Sequence, residues 1–273
     1  MMIVTATRLR LAAALWVLAL AASAHAQTAT PRIIEPTRGQ PGKDVVWVPT
    51  PLELVEQMLD LAQVTPYDFV IDLGSGDGRN VIAAAKRGAN ALGIEFDQNL
   101  VLYSQREAEK AGVANKAKFE RADMFKADIS KATVLALFLL PSNLFQMSDK
   151  FLNLRPGTRI VVNTFTIGDW EPDVTIGTPC DSWCMANLWI VPAKVAGTWR
   201  LDNDEIMLTQ KFQMISGSRI GGAGEQQISG RLRGDQISFK IGDAQYSGRV
   251  DGNTMSGRVW SDGRETDWTA RRQ

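Results

Sequence analysis

The chain has 273 residues, with 30 basic and 30 acidic side chains, one histidine and two cysteines. Balanced charge without a block of one sign excludes the footprint of a nucleic-acid or anionic-membrane binder. One histidine and two cysteines are too few for a structural zinc site built from four such ligands.

The first 26 residues read as a secretory leader. Arg8 and Arg10 supply a positive start, Leu11 to Ala22 an apolar stretch, and Ala24-His25-Ala26 a small-x-small cleavage site. The apolar run is shorter than the roughly 20 residues of a spanning helix, so no membrane span is expected after cleavage. The expectation is a periplasmic or secreted mature chain with 28 basic and 30 acidic groups, a formal net charge of −2 and no histidine. Loss of His25 with the leader rules out Ser-His-Asp and Cys-His catalysis and His-ligated metal sites; no metal is expected. Residues 27–46, rich in Pro, Thr and Gly up to Asp44, read as an extended linker.

From Trp47 to about Pro192, strand and helix patterns alternate. Thr50-Pro51-Leu52-Glu53 combines a capping box with proline at the first helical position, and Leu52, Val55, Leu59 and Ala62 give one apolar face. Phe69 to Leu73 reads as a buried strand, Asn80 to Arg87 as a helix closed by Gly88, and "NALGIEF" as a second strand. Asp97 caps a helix running to Gly112. "AKFERAD", "ATVLALFLL" and "TRIVVNTF" are three further strands, with a helix from Asn143 to Leu154 between the last two. Continuous apolar strands separated by helices predict a doubly wound, mostly parallel sheet within residues 47–196. Trp170, Trp183 and Trp189 serve either core packing or a substrate cleft, with packing favoured.

Cys180 and Cys184 lie four apart around a turn-like Asp-Ser-Trp. In an oxidising compartment this spacing points to a local disulfide; two free thiols are the alternative. Residues 197–273 change grammar to short alternating runs punctuated by glycine. Gly234-Asp235 and Gly252-Asn253 sit at equivalent places in two hairpins, predicting a separate antiparallel all-β module. Trp199, Trp260 and Trp268 are expected in its core.

The functional signal is "VIDLGSGDGR", residues 70–79. A strand, a glycine-rich turn and a helix form the usual ligand-binding start of a doubly wound sheet. Gly74, Gly76 and Gly78 give G-x-G-x-G, whereas a dinucleotide fingerprint needs G-x-G-x-x-G. Asp72 and Asp77 bracket the glycines and would repel a phosphate dianion, whereas a cationic ligand suits them.

This stretch resembles motif I of class I S-adenosylmethionine (SAM)-dependent methyltransferases. The resemblance implies a seven-stranded Rossmann-like sheet with SAM as cofactor, held by Asp72, Gly74, Ser75, Gly76, Asp77 and Gly78. It implies that Glu95, in "GIEFD", accepts both ribose hydroxyls. Asp123, in "RADMF", would bind the adenine amino group, with Met124 beside the ring. Val48-Pro49-Thr50-Pro51 and Leu139-Leu140-Pro141 are similar to a subgroup of protein-lysine methyltransferases acting on mitochondrial inner-membrane proteins, which adds Pro49 and Thr50 to the cofactor site. Leu139, Leu140, Pro141 and Ser142 are the expected lining of the methyl-transfer site; Ser142 reads more readily as a helix N-cap than as a catalytic group. Enzymes that methylate planar amide or base nitrogens usually carry Asn or Asp before Pro-Pro here, and this chain does not. The implied acceptor is an amine, such as a lysine of an envelope protein, and no general base is identified. A methyltransferase fold retained only for binding a small molecule or an envelope partner is the competing reading.

Overall fold

The computed structural model describes residues 33–42, 45–177, 182–202, 204–221 and 224–273. The predicted leader and Cys180 lie outside the described residues. Among the described residues no helix is long and apolar enough to cross a membrane.

The first region opens with α1 (Leu52–Leu61), β1 (Phe69–Leu73), α2 (Arg79–Lys86), β2 (Asn90–Glu95), α3 (Gln98–Lys110) and β3 (Ala117–Arg121). It continues with β4 (Val134–Leu137), α4 (Pro141–Leu152), β5 (Arg159–Asn163), β6 (Val174–Gly177) and β7 (Met185–Ile190). These strands form one seven-stranded sheet in the order β3-β2-β1-β4-β5-β7-β6. The first five pair in parallel, and the β6–β7 hairpin closes the sheet antiparallel to β5. The all-apolar burial of Val134–Leu137 is what a central strand covered on both faces requires.

Two local expectations fail. Helix α1 is capped at Pro51 with no side-chain hydrogen bond, so Thr50 and Glu53 form no capping box. The Thr50 side chain is turned inward instead, its hydroxyl accepting from Asn163 Nδ2 at 3.2 Å. The buried face of α1 is Leu54, Val55, Met58 and Leu59, while Leu52 is 67% exposed. The tertiary partner of Thr50 outcompetes the local cap, and of the predicted face Val55, Leu59 and Ala62 are buried while Leu52 turns outward.

Residues 197–273 form β8 (Gly197–Leu201), β9 (Asp204–Lys211), β10 (Met214–Gly221), β11 (Gly224–Arg233), β12 (Gln236–Ile241), β13 (Ala244–Asp251), β14 (Thr254–Ser261) and β15 (Arg264–Arg272). All pairings are antiparallel, and the sheet closes into an eight-stranded barrel. Both predicted glycine turns join hairpins, β11–β12 and β13–β14. The interior is filled rather than open, as expected for eight strands: Trp199, Trp268 and Phe239 are buried there. Gly230 and Gly248 make the room, since a Cβ at either would lie 2.5 Å from Phe239 or 2.8 Å from Trp268. Trp260 does not join them. Met255 faces inward, so strand parity sends Trp260 outward, where it is 52% exposed.

The barrel packs on the β5–β7 side of the sheet. The Phe212 ring stacks on Trp170 at 5.8 Å. Arg231 pairs with the Asp173 carboxylate at 2.6 Å, and Ala193 N donates to Gly234 O.

Candidate cofactor and acceptor site

A cavity of about 300 Å³ opens at the carboxyl ends of the parallel strands, within the usual range for small-molecule sites. Its floor is the turn after β1. Gly74, Gly76 and Gly78 have φ of 70°, 55° and 80°, the left-handed region that glycine enters without strain. Gly76 is further constrained from above, because a Cβ there would collide with the Trp47 indole. Four of the turn's amides are already used: Gly74 N and Ser75 N donate to Ile94 O, Gly78 N to Ser75 O, and Gly76 N to Glu95 Oε2 at 2.9 Å. A phosphate cradle needs such amides pointing at the ligand; here they are satisfied by the protein.

The acids meet where the sequence placed them. Asp72 ends β1 and is buried, its Oδ2 accepting from Asn80 Nδ2 at 3.1 Å. Burial pushes its carboxyl well above the ordinary range; the Asn80 hydrogen bond opposes this, and nearby Glu95 and Asp77 add to it. A cationic group in the cavity supplies the opposing charge that Asp72 lacks. Glu95, at the end of β2, accepts from Gly76 N, Phe96 N and Asp97 N. It therefore fixes the glycine turn as well as facing the cavity. Asp123 follows β3 and accepts from Phe125 N at 3.0 Å, so it caps a turn while lining the cavity.

Asp77 lines the cavity as expected and is also paired within the turn. Its carboxylate is engaged by Arg79 at 2.5–3.1 Å, and Arg79 also donates to the Thr50 carbonyl. With Asp77 compensated, Asp72 carries the preference for a cation. Gly78 lies behind the cavity wall, where a Cβ would meet Phe119 at 2.6 Å. Ser75, Met124, Pro49 and Thr50 line the cavity as expected. Of the predicted acceptor lining, Leu139 and Leu140 are at the wall, whereas Pro141 and Ser142 are not. Ser142 is not the N-cap either: that position is Leu140, with Pro141 in the first turn.

Several lining residues carried no sequence signal. Gln40, Pro41 and Trp47, from the stretch before α1, fold over the glycine turn, tied by Trp47 N to Gln40 O and Gly39 N to Trp47 O. Phe138 and Phe165 line the cavity as well, and Trp183 joins them there, so of Trp170, Trp183 and Trp189 it is Trp183 that takes the cleft position, the less favoured reading of the sequence. Trp170 and Trp189 are core residues, the Trp189 indole donating to Trp170 O at 2.7 Å. Cys184 is not a free thiol.

The residues fit SAM. Its amino and sulfonium charges suit buried Asp72, and its hydroxyls and base suit Glu95 and Asp123. Ser75 Oγ and Asn80 Oδ1, both in the cavity wall, are buried without a protein hydrogen-bond partner, as expected where a ligand or water supplies one.

The family described as "ANTKMT methyltransferase domain" matches residues 72–174. A protein-lysine N-methyltransferase of Saccharolobus islandicus is 40% identical over 136 residues, 48% of this chain and 84% of that protein. The adenine nucleotide translocase lysine N-methyltransferase of Mus musculus is 35% identical over 129 residues, 46% of this chain; the match spans 56% of the mouse protein. A crystal structure described as an RNA methyltransferase from Salinibacter ruber, in complex with S-adenosyl-L-homocysteine, is 43% identical. It covers 54% of this chain and 96% of its own, with a TM-score of 0.52. The matched segment contains motif I, both later acids and the Leu-Leu-Pro turn, and the chain belongs to the class I SAM-dependent methyltransferases of the protein-lysine type.

Proposed function

We propose that the protein methylates a lysine amine of a cell-envelope protein after export. The observation that carries the lysine acceptor is the 40% identity across 84% of the Saccharolobus islandicus protein-lysine N-methyltransferase. The geometry is compatible. SAM supplies an electrophilic methyl group, and the chain's own residues position and desolvate the two reactants. Asp72, Glu95 and Asp123 hold the cofactor on the β1–β3 side. Leu139 and Leu140, after β4, add apolar surface to the cavity wall. An amine must reach it neutral, although free lysine has a pKa of about 10.4. Export rests on the leader-like residues 1–26.

A second reading is favoured by the description of the Salinibacter ruber structure as an RNA methyltransferase. Against it stand the balanced charge and the Leu-Leu-Pro turn in place of an Asn- or Asp-Pro-Pro. One experiment separates the readings. Radiolabelled SAM is incubated with the protein and an extract of source cells lacking the gene, and the product is digested. Label recovered as methyl-lysine in an envelope protein is the expected result. Label lost on ribonuclease treatment supports the RNA reading, and SAM binding without any label the non-catalytic one. Fractionation and N-terminal sequencing test export, with a mature chain starting at Gln27 expected.

A further inference from the structure

We propose that Phe138, Phe165 and Trp183 form a desolvating wall for the acceptor amine, with Trp183 as its positioning residue. This rests on the lysine reading above and assigns the step that makes the amine reactive.

The three rings come from three neighbouring strands: Phe138 follows β4, Phe165 follows β5, and Trp183 precedes β7. Because β7 runs antiparallel to β5, all three reach the same edge of the sheet and line the cavity there. Phe138 and Phe165 stack at 6.1 Å, and Trp183 lies 5.6 and 5.4 Å from them. A cation held between two ring faces needs them roughly 7 Å apart, two van der Waals contacts of about 3.5 Å. These rings pack on one another, so they make a wall, not a cage.

The distinction decides the chemistry. A cage stabilises an ammonium by cation–π attraction, whereas an apolar wall removes water and favours the neutral amine. Among the described residues the charged side chains of the cavity lining are Asp72, Asp77, Arg79, Glu95, Asp97 and Asp123. All lie in or shortly after β1, β2 or β3 in the chain. The β4–β5–β7 half contributes Leu139, Leu140, Asn143 and the three rings, none of them charged.

The wall is also held under strain. Trp183 has φ 64° and Thr164, just before Phe165, φ 62°, conformations that bulky or β-branched residues adopt only when their surroundings impose them. Asn187, buried in β7, imposes one of them: its Nδ2 donates to Thr164 O and Phe165 O, while its Oδ1 accepts from Thr175.

The test uses the full chain as wild type, Trp183→Gly and Trp183→Phe. Glycine accepts the φ of this position without strain, so Trp183→Gly removes the ring while keeping the fold. Affinity for S-adenosylhomocysteine is measured by calorimetry. Methyl-lysine formation is measured at two pH values, in an extract of source cells lacking the gene. Trp183→Gly should keep cofactor affinity within about twofold, because the acids that bind it stand on or just after other strands and the ring packs on Phe138 and Phe165. Its methyl-lysine formation should fall about tenfold or more at about pH 7.5. The deficit should narrow to about threefold at about pH 9.5, as free lysine approaches its own pKa. Trp183→Phe keeps an apolar ring and should stay within about threefold of wild type at both. Equal rates for wild type and Trp183→Gly overturn the wall and leave the lysine reading standing. A deficit of the same size at both pH values overturns the desolvating role. No methyl-lysine from wild type overturns the lysine reading and this inference together. If a thermal melt shows Trp183→Gly unfolded, Phe138→Ala takes the same measurements, with the same outcomes decisive.

Discussion

The two halves of the cavity are built from opposite materials. On the β1–β3 side, each strand delivers one of the carboxylates Asp72, Glu95 and Asp123, held by Asn80 or by backbone amides. On the β4–β5–β7 side, each strand delivers one aromatic ring, held by packing and by two residues at positive φ. The first half suits a cationic, hydroxyl-rich ligand. Among the described residues the second contributes no charged side chain to the lining and suits a neutral nucleophile. A methyl donor and an amine acceptor require that contrast, and substitutions confined to one half should leave the other half's function intact.

The largest break in that contrast is expected at Glu95. Its carboxylate faces the cavity and also holds three backbone amides, including that of Gly76. Glu95→Ala removes charge-assisted hydrogen bonds worth roughly 1.5–3 kcal/mol each. Affinity for SAM and for S-adenosylhomocysteine should therefore fall by about 30-fold or more, an order-of-magnitude figure. Calorimetry on both ligands checks this. An unchanged affinity would mean that Glu95 only shapes the turn.

Asp72→Asn should produce a smaller loss, about tenfold, together with a gain elsewhere. The Asp72 carboxyl holds its proton more tightly in the fold than in the unfolded chain. Its contribution to stability is fully present below the ordinary carboxylate pKa, and is lost as pH rises through the raised folded value. At neutral pH the unliganded fold thus carries a buried group working against it. Asparagine removes that burden, so the unliganded Tm should rise by about 2–4 °C per kcal/mol recovered. Melting curves across pH, with and without cofactor, should show the wild type losing stability towards neutrality and Asp72→Asn losing less.

The acid half is legible in the sequence; of the aromatic half only Trp183 is, as a cleft candidate beside the favoured core packing. Glycine spacing, the acid before it and acids at the ends of the next two strands form a recurring pattern, because each parallel strand ends at the same edge. The spacing does not show that Arg79 folds back onto Asp77. Phe138, Phe165 and Trp183 are separated by 26 and 17 intervening residues, and only the antiparallel return of β7 brings the third ring to the others. The same limit hid Trp47, whose neighbours Pro49 and Thr50 carried the visible motif. In the barrel, alternation predicted strands but not parity, so Trp260 was assigned inward although Met255 fixes it outward.

Contacts of the barrel with the second half's supports offer a further way to sharpen the contrast. Arg231 pairs with Asp173, whose side chain is 3% exposed and also accepts from Ile190 N. Arg231→Ala leaves that carboxylate with one backbone donor. Full burial of an unpaired charge costs about 3–5 kcal/mol. Arg231 itself is 46% exposed, so about 1–2 kcal/mol is the expected loss after solvent screening. Tm should fall by several degrees and methyl transfer should drop, while cofactor affinity stays within about twofold.

The smallest effect is expected at the cysteines. Cys184 is not free, and it directly follows Trp183. We propose that Cys180 is its partner, the bond closing a loop of a few residues around the strained tryptophan. So short a loop should contribute less to stability than the roughly 3 kcal/mol of a fifteen-residue one. Its consequence for function should be larger than for stability, since an unclosed loop releases the constraint that keeps Trp183 against Phe138 and Phe165. Reduction, or Cys184→Ser, should therefore lower methyl-lysine formation a few-fold at about neutral pH while leaving cofactor affinity unchanged. Thiol labelling without reductant should find no reactive cysteine in the native protein. Two labelled thiols, or reduced protein with wild-type activity, would detach the disulfide from the acceptor wall.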